Sequence, residues 1–333
     1  MAQRVRIATV FGGTGFLGRR IAGAMREDGI HVRVAVRTPE KSRFFGKDGC
    51  GVEVLQADIR DPATTGAALD GADAVVNAVS LYTESGNATF RQIHVDGARQ
   101  LAEGARDRGV RVLIQVSGIG ADSSSSSRYI QSRGQGESAV RQVFDGAVIV
   151  RPAVMFGPDD SFLNMLVSLV RYLPVLPIFG TGATRLQPAY VDDVAKAVSR
   201  IASDTPGAGP VYELGGPEIH TYRQLVERVA SRAGRRRLLA PVPFGVWKAL
   251  AAAARLFPNS PLSRTQVELM QRHNVAAPEL PSFRDVDIEP TAVDPVLTEI
   301  LERMSRSPRN GRNAGRASGT GRQDLDATPR KRS

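Results

Sequence analysis

Residues 5–18, VRIATVFGGTGFLG, constrain the fold more than any other stretch of the chain. The first seven are mostly apolar and β-branched, which suits a strand covered on both faces. Gly12, Gly13, Gly15 and Gly18 follow, with Thr14, Phe16 and Leu17 between them. Glycine permits positive φ and lets a ligand approach where a Cβ would otherwise stand. A helix that starts at the end of such a turn aims its free N–H groups and positive dipole end into it. That is a seat for a diphosphate. Glycines can cluster by chance in a chain that has 33 of them. Their position between a strand and a helix turns the pattern into an expectation of dinucleotide binding.

The chain continues in the same rhythm. Residues 19–28 extend the first helix, Gly29 ends it, and HVRVAV (31–36) is a second strand. An acidic residue at the end of this strand would accept from the adenosine ribose hydroxyls of NAD. Here Arg37 stands instead, with Lys41 and Arg43 after it. A guanidinium binds a 2′-phosphate in a bidentate way, so NADP(H) is favoured over NAD(H). The competing reading of Arg37 is an ordinary surface arginine.

Residues 52–57 form a third strand, and Asp58 and Ile59 after it are candidate cofactor contacts. Asp58 either accepts from the adenine amine or caps the next helix, which Asp61-Pro62 opens. A fourth strand, 72–79, ends in Ala78 and Val79 on the ribose and nicotinamide side. A long helix (87–108) closed by Gly109 leads to a fifth strand, 110–117. Alternation without long loops predicts an α/β fold of Rossmann type, a doubly wound parallel sheet with helices on both faces.

The candidate chemistry lies at Ser117, Tyr129 and Arg133. Ser117 ends the fifth strand, where open α/β sheets place their sites. Tyr129 and Arg133 share one face if their segment is helical. A cation beside a phenol favours proton transfer, although a surface pair would show the same spacing.

FGGTGFLG, the strand-ending Ser117, and Tyr129-x-x-x-Arg133 followed by Gly136-Glu137 together resemble the extended and atypical short-chain dehydrogenase/reductase superfamily. The resemblance implies that the serine holds a substrate oxygen and the tyrosine transfers a proton. It also implies a lysine four residues on, which binds the nicotinamide ribose. Arg133 occupies that lysine's place. Arginine keeps the charge and can donate to a ribose, but it does not give up a proton to a relay. Cofactor binding is expected to survive this change, and catalysis is expected to be weakened or lost.

Residues 147–150 are a sixth strand. The segment after it, RPAVMFGPDDSFLN, resembles the family's stretch over the nicotinamide, with Pro152 as a contact. In LQPAYVDDVAKAV, Asp192 and Asp193 are expected to cap a helix. With VYELGGPE, these segments narrow the resemblance to the branch of the NADPH-binding accessory subunit of respiratory complex I and its bacterial relatives. It covers about residues 4–290. That branch implies complex I or a peripheral membrane surface as partner, and an assembly or stabilising role. The alternative is an active NADP-dependent oxidoreductase or epimerase on a small carbonyl or sugar-like substrate. The sequence names no substrate.

PFGVWKALAAAARLF (243–257) is too short to span a bilayer. It reads as a packing helix or as a docking helix with Trp247 at an interface and Arg255 near headgroups. The expected organisation is a dinucleotide-binding core (1–155), a smaller C-terminal α/β region that partly completes its sheet (156–303), and a disordered basic tail (304–333). Eight Lys/Arg against two Asp give that tail +6 of the net +10, leaving little excess charge on the body. No specific nucleic-acid partner is therefore expected. Cys50 is the only cysteine, so an intrachain disulfide is impossible and metal-ligand clusters are absent. With no secretory leader or membrane-spanning run, a cytoplasmic protein is expected, peripheral at most on the inner membrane face.

Overall fold

The β-branched run at the start of the chain becomes β1 (Ile7–Phe11), the central strand of the protein. The computed structural model describes residues 4–40, 51–203, 209–254 and 262–306. Lys41, Arg43, Cys50, Arg255 and residues 307–333 of the basic tail lie outside these. After β1 come α1 (Gly18–Glu27), β2 (His31–Val36), β3 (Val52–Gln56), α2 (Pro62–Leu69) and β4 (Ala74–Asn77). A π-helical turn (Arg91–Asp96) runs into α3 (Gly97–Asp107), followed by β5 (Val112–Val116), α4 (Arg128–Val143) and β6 (Val148–Pro152).

The second half holds the two-residue β7 (Met155–Phe156), α5 (Ser161–Tyr172), β8 (Val175–Phe179), and the short β9 (Arg185–Leu186) and β10 (Ala189–Tyr190). Next come α6 (Val191–Ser203), β11 (Val211–Leu214), the short β12 (His220–Thr221), α7 (Tyr222–Arg232) and β13 (Leu238–Val242). Helices α8 (Phe244–Ala254), α9 (Arg264–Leu269) and α10 (Val293–Arg306) complete the described chain.

Seven strands form one sheet in the order β11-β6-β5-β4-β1-β2-β3, with every pairing parallel. The chain winds outward from β1 to β3, then returns to the other side of β1 as β4. The expected doubly wound Rossmann sheet is therefore what forms. Its topological switch point lies between the C-terminal ends of β1 and β4, where such sheets open a crevice.

Alternation along each central strand feeds two cores. Val10, Val76 and Ile114 pack with Ile21 and Met25 of α1 and Val194 and Val198 of α6. Their neighbours Phe11, Val75 and Leu113 pack with Leu69 of α2 and Leu101 of α3. A third core joins α5, α7 and α10 to the inner face of β8, through Leu166, Leu225 and Leu297.

Several local readings are corrected. The long helix expected over 87–108 is π-helical in its first part, and the α-helical part starts only at Gly97. Asp192 and Asp193 do not cap α6, because Tyr190 and Val191 pass straight from β10 into the helix. Both carboxylates lie inside its first turn. Asp192 reaches Arg20 at 2.7 Å, and Asp193 accepts from the Thr291 N–H at 2.6 Å. Of the two readings of the 243–257 helix, half-buried Trp247 fits packing. Its ring packs 4.3 Å from that of Phe179, and its Nε1 donates to the Ile178 carbonyl at 3.4 Å.

Candidate functional site

The glycine turn sits at the switch point, and its glycines have separate jobs. Gly12 adopts φ +77°, and a Cβ there would lie 2.9 Å from the Ala78 carbonyl and 3.0 Å from the Val79 nitrogen. The turn is thus pressed against the end of β4. A Cβ on Gly13 would meet Val34 of β2 at 2.3 Å, and one on Gly18 would meet the Gly12 carbonyl oxygen at 2.3 Å. Gly15 is exposed and has only the Gly12 oxygen nearby, at 3.1 Å. The turn closes on itself through the Gly15 N–H to Gly12 O bond of 2.9 Å. Thr14 and Phe16 are half-buried and Leu17 is buried. The Phe16 ring lies under the Arg20 guanidinium, 4.6 Å from its centroid, and would touch any side chain on Gly157. Arg19 and Arg20 both pair with Asp159, so the first turn of α1 is tied to the segment after β7.

Arg37 is exposed immediately beyond β2. Asp58 lies within reach of its charge, but the Asp58 carboxylate is gripped by Arg60, whose Nε and Nη2 donate at 3.0 and 2.6 Å. The bonds from Arg60, aided by Arg37, hold this carboxyl below the usual carboxylate range against the opposing effect of burial. Asp58 does not cap α2. Asp61 does, accepting from the Ala63 N–H at 3.1 Å, with Pro62 at the first helical position. Ile59 is buried against Gly97 at the start of α3.

At the other end of the crevice, α4 does bring Tyr129 and Arg133 onto one face, and Arg133 Nη1 donates to the Tyr129 hydroxyl at 2.9 Å. The same Nη1 donates to Ser80 Oγ at 3.0 Å. Burial works against the charge of Arg133, but the phenols of Tyr129 and Tyr82 more than offset it and hold the guanidinium above its ordinary range. Ser117 is buried just past β5, and its hydroxyl has no hydrogen-bond partner; nor does Arg133 Nε. Ser117, Arg133, Val79 and His94 line one small cavity of about 10 Å³, the space of a single water. Pro152 is buried at the end of β6, and its carbonyl accepts from Ile119 at 3.2 Å.

Tyr129 is more enclosed than the spacing suggested. It stacks on Tyr82 at 5.5 Å and meets Phe90 and His94 edge-on at 5.6 and 5.7 Å. The adjacent Tyr129 phenol and burial of the hydroxyl together raise the Tyr82 phenol above its ordinary range. His94, which sequence reasoning did not single out, anchors this wall. The Leu81 N–H donates to its Nε2 at 3.0 Å. Its Nδ1 faces Ser132 Oγ at 2.9 Å, and that hydroxyl donates to the Tyr129 carbonyl at 2.8 Å. The chain assigns the proton to Nδ1. Gly136 makes the approach possible, since a Cβ there would lie 2.0 Å from the His94 carbonyl oxygen. Its neighbour Glu137 pairs with Arg151 at 2.6 Å.

Burial, and then the nearby Arg133 charge, push His94 down to about 3. The unfolded chain binds a proton near its ordinary value of 6.5, so this group's contribution to stability is complete above that pH and declines below it. Lowering the pH from 7 to 5 should therefore cost about 2 kcal/mol through His94. Denaturant titrations across that range would measure it. His94→Gln should flatten the slope, and an unchanged slope would refute the neutral, buried histidine.

The profile of a family described as NAD(P)H-binding matches residues 12–156. NADH dehydrogenase (ubiquinone) 1 alpha subcomplex subunit 9, mitochondrial, of Mus musculus is 30% identical over 303 residues, covering 89% of this chain and 80% of that one. Its counterpart in Arabidopsis thaliana is 33% identical over 310 residues, covering 89% and 77%. A ceramide reductase of Caulobacter vibrioides is 34% identical over 189 residues, 57% of this chain and 58% of that one. Among solved structures, the triphenylmethane reductase of Citrobacter sp. superposes with a TM-score of 0.71 at 17% identity, covering 89% of this chain and 99% of that one. Among the described residues, no helix is long and apolar enough to cross a membrane. The chain belongs to the family of NAD(P)H-binding proteins that includes alpha subcomplex subunit 9 of mitochondrial NADH dehydrogenase.

Proposed function

We propose that this protein holds NADP(H) as a mainly structural cofactor and serves respiratory complex I as an accessory or assembly subunit. The observation that carries the first part is the glycine turn. Gly12, Gly13 and Gly18 leave no space for side chains, while exposed Gly15 leaves the open side of the turn bare for a diphosphate. The residues fit a dinucleotide laid along the switch point. Arg37 would take the 2′-phosphate. Ile59 would flank the adenine, with Asp58 beside it but already engaged by Arg60. Ala78, Val79 and Pro152 would border the nicotinamide, and Tyr129 and Arg133 would donate to its ribose.

Arg133 also supports the absence of turnover. It fills the space beside Ser117 and Tyr129 and is a poor proton relay. The partner reading is carried by the relatives, two of which are named as subunits of mitochondrial NADH dehydrogenase.

A second reading is favoured by one observation, the unpartnered Ser117 hydroxyl opening on the same cavity as Arg133. In an active reductase, bound NADPH supplies a hydride. Ser117 would hold the substrate's carbonyl oxygen, and Tyr129 would give that oxygen a proton.

Two measurements decide between them. Mass spectrometry of nucleotide released from purified protein should find NADP(H). NADPH oxidation over a panel of ketones and quinones should stay at the enzyme-free rate, in wild type and Tyr129→Phe alike. Wild-type turnover that Tyr129→Phe abolishes would establish the reductase. Failure to co-purify with complex I from native membranes would remove the accessory role.

A further inference from the structure

Helix α8 packs on β8 through its aromatic residues and lies against α9. Phe244 and Trp247 rest on Phe179, at 6.5 and 4.3 Å, and Ala251 is buried. The opposite side carries Val246, Ala249, Leu250 and Ala253, a wholly apolar and exposed stripe at helical spacing. The helix packs at the Phe179 end of the parallel β8–β13 ribbon, and Val175, Pro177 and Phe179 point the same way along β8, with Pro177 exposed between the other two. Val175 and its register partner Leu238, at the other end of that ribbon face, stay exposed, Leu238 at 72%. Tyr172, which ends α5 just before β8, is 80% exposed. Exposed apolar side chains gathered on neighbouring elements mark a candidate contact site.

The loop that leads into Leu238 is basic. Arg235 and Arg236, exposed just before β13, line a cavity of about 270 Å³ with Arg237 and Ser231. Lys248 is exposed on the flank of α8. The one carboxylate lining that cavity, Glu227, is faced by Arg223 at 3.7 Å. A second copy related by a two-fold axis would set these arginine clusters against each other, whereas anionic lipid phosphates would neutralise them.

We propose that this surface docks on an anionic phospholipid bilayer. The α8 stripe, Val175 and Leu238 enter the acyl boundary, while Arg235, Arg236 and Lys248 stand at phosphate level. Tyr172 sits at the interface, where an aromatic ring with a polar tip is stable. The proposal uses no residue of the nucleotide site.

Flotation of the full-length protein tests it, with vesicles of phosphatidylcholine alone or mixed with phosphatidylglycerol. Recovery should require the anionic lipid and fall as salt is raised. The double variant Leu238→Ser/Leu250→Ser should lower binding at least about tenfold, and Arg235→Gln/Arg236→Gln by about tenfold as well. Both variants should keep their nucleotide and unfolding temperature, which separates lost docking from lost fold. Wild type that does not float overturns the proposal. So does flotation unchanged in both variants, which would place binding in the basic C-terminal tail. Wild type held by native membranes but not by pure lipid would assign the surface to a protein partner. A dimer in sedimentation velocity that Leu250→Ser disperses would assign it to a second copy.

Discussion

Gly18→Ala should yield a folded but weakened protein that no longer retains its nucleotide. The new Cβ would lie 2.3 Å from the Gly12 oxygen, 2.8 Å from the Gly12 carbon and 2.9 Å from the Gly13 Cα. All three are backbone atoms, so no side chain can rotate away. Gly12 cannot retreat either, because its own far side already rests against the Ala78 carbonyl. The turn must open at the seat of the diphosphate. Overpacking of this kind costs about 1–3 kcal/mol of stability. Loss of aligned N–H donors to a doubly charged group should lower nucleotide affinity by roughly 100-fold or more.

Gly23→Ala is the matched control. It lies on the same helix, and its Cβ would meet nothing within 4 Å. Removing a mid-helix glycine there should instead stabilise the protein by about 0.5–1 kcal/mol. Melting curves and released nucleotide measure both variants. Full nucleotide occupancy in Gly18→Ala would refute the role assigned to the turn.

The two glycines also show what a sequence can disclose. Gly18 stands at fixed spacing after a β-branched run, so strand, turn and helix were all legible from local pattern. The whole β-α alternation shares that property, because each strand's burial on both faces writes itself into its own composition. The place of Arg37 at the end of β2 was legible for the same reason, being the first residue after a recognisable strand. Asp192 and Asp193 were misread because their partners, Arg20 and Thr291, are distant in the chain, and no local pattern announces them. The π-helical turn was invisible because one widened turn changes neither composition nor hydrophobic period enough to see. His94 was missed with it. Its role depends on Leu81 and Ser132, which the fold brings together from two other segments. Trp247 was ambiguous from sequence, since an exposed and an anchoring tryptophan look alike until the packing partner, Phe179, is in place.

Arg133 separates two properties that the glycine turn alone would merge. Holding a nucleotide needs a cradle and charge, and both are present. Reacting it needs room beside Ser117 and a group that exchanges protons. The guanidinium bonded to Tyr129 and Ser80 does not itself exchange protons. On the proposed reading the nucleotide stabilises the protein by mass action.

Arg37→Asp should invert cofactor preference. Arg37, Asp58 and Arg60 stand beyond the ends of β2 and β3, and Asp58 is already committed to Arg60. Of these, Arg37 is the cation that would meet a 2′-phosphate. Replacing it with a carboxylate removes charge-assisted bonds of about 1.5–3 kcal/mol and adds repulsion, so NADP(H) affinity should fall by roughly 100- to 1000-fold. NAD(H) has no phosphate there, and a carboxylate can accept from both ribose hydroxyls, so its affinity should hold or rise. Arg37→Lys keeps the charge but loses the fork, and should cost NADP(H) only about tenfold. Arg60→Gln should move NADP(H) least, because that arginine is spent on Asp58. Because Arg37 is exposed, the discrimination should narrow as salt is raised. Calorimetric titration of nucleotide-free protein with each cofactor measures all of these. Parallel losses for NADPH and NADH in Arg37→Asp would show that Arg37 supports the fold of the site and does not read the phosphate.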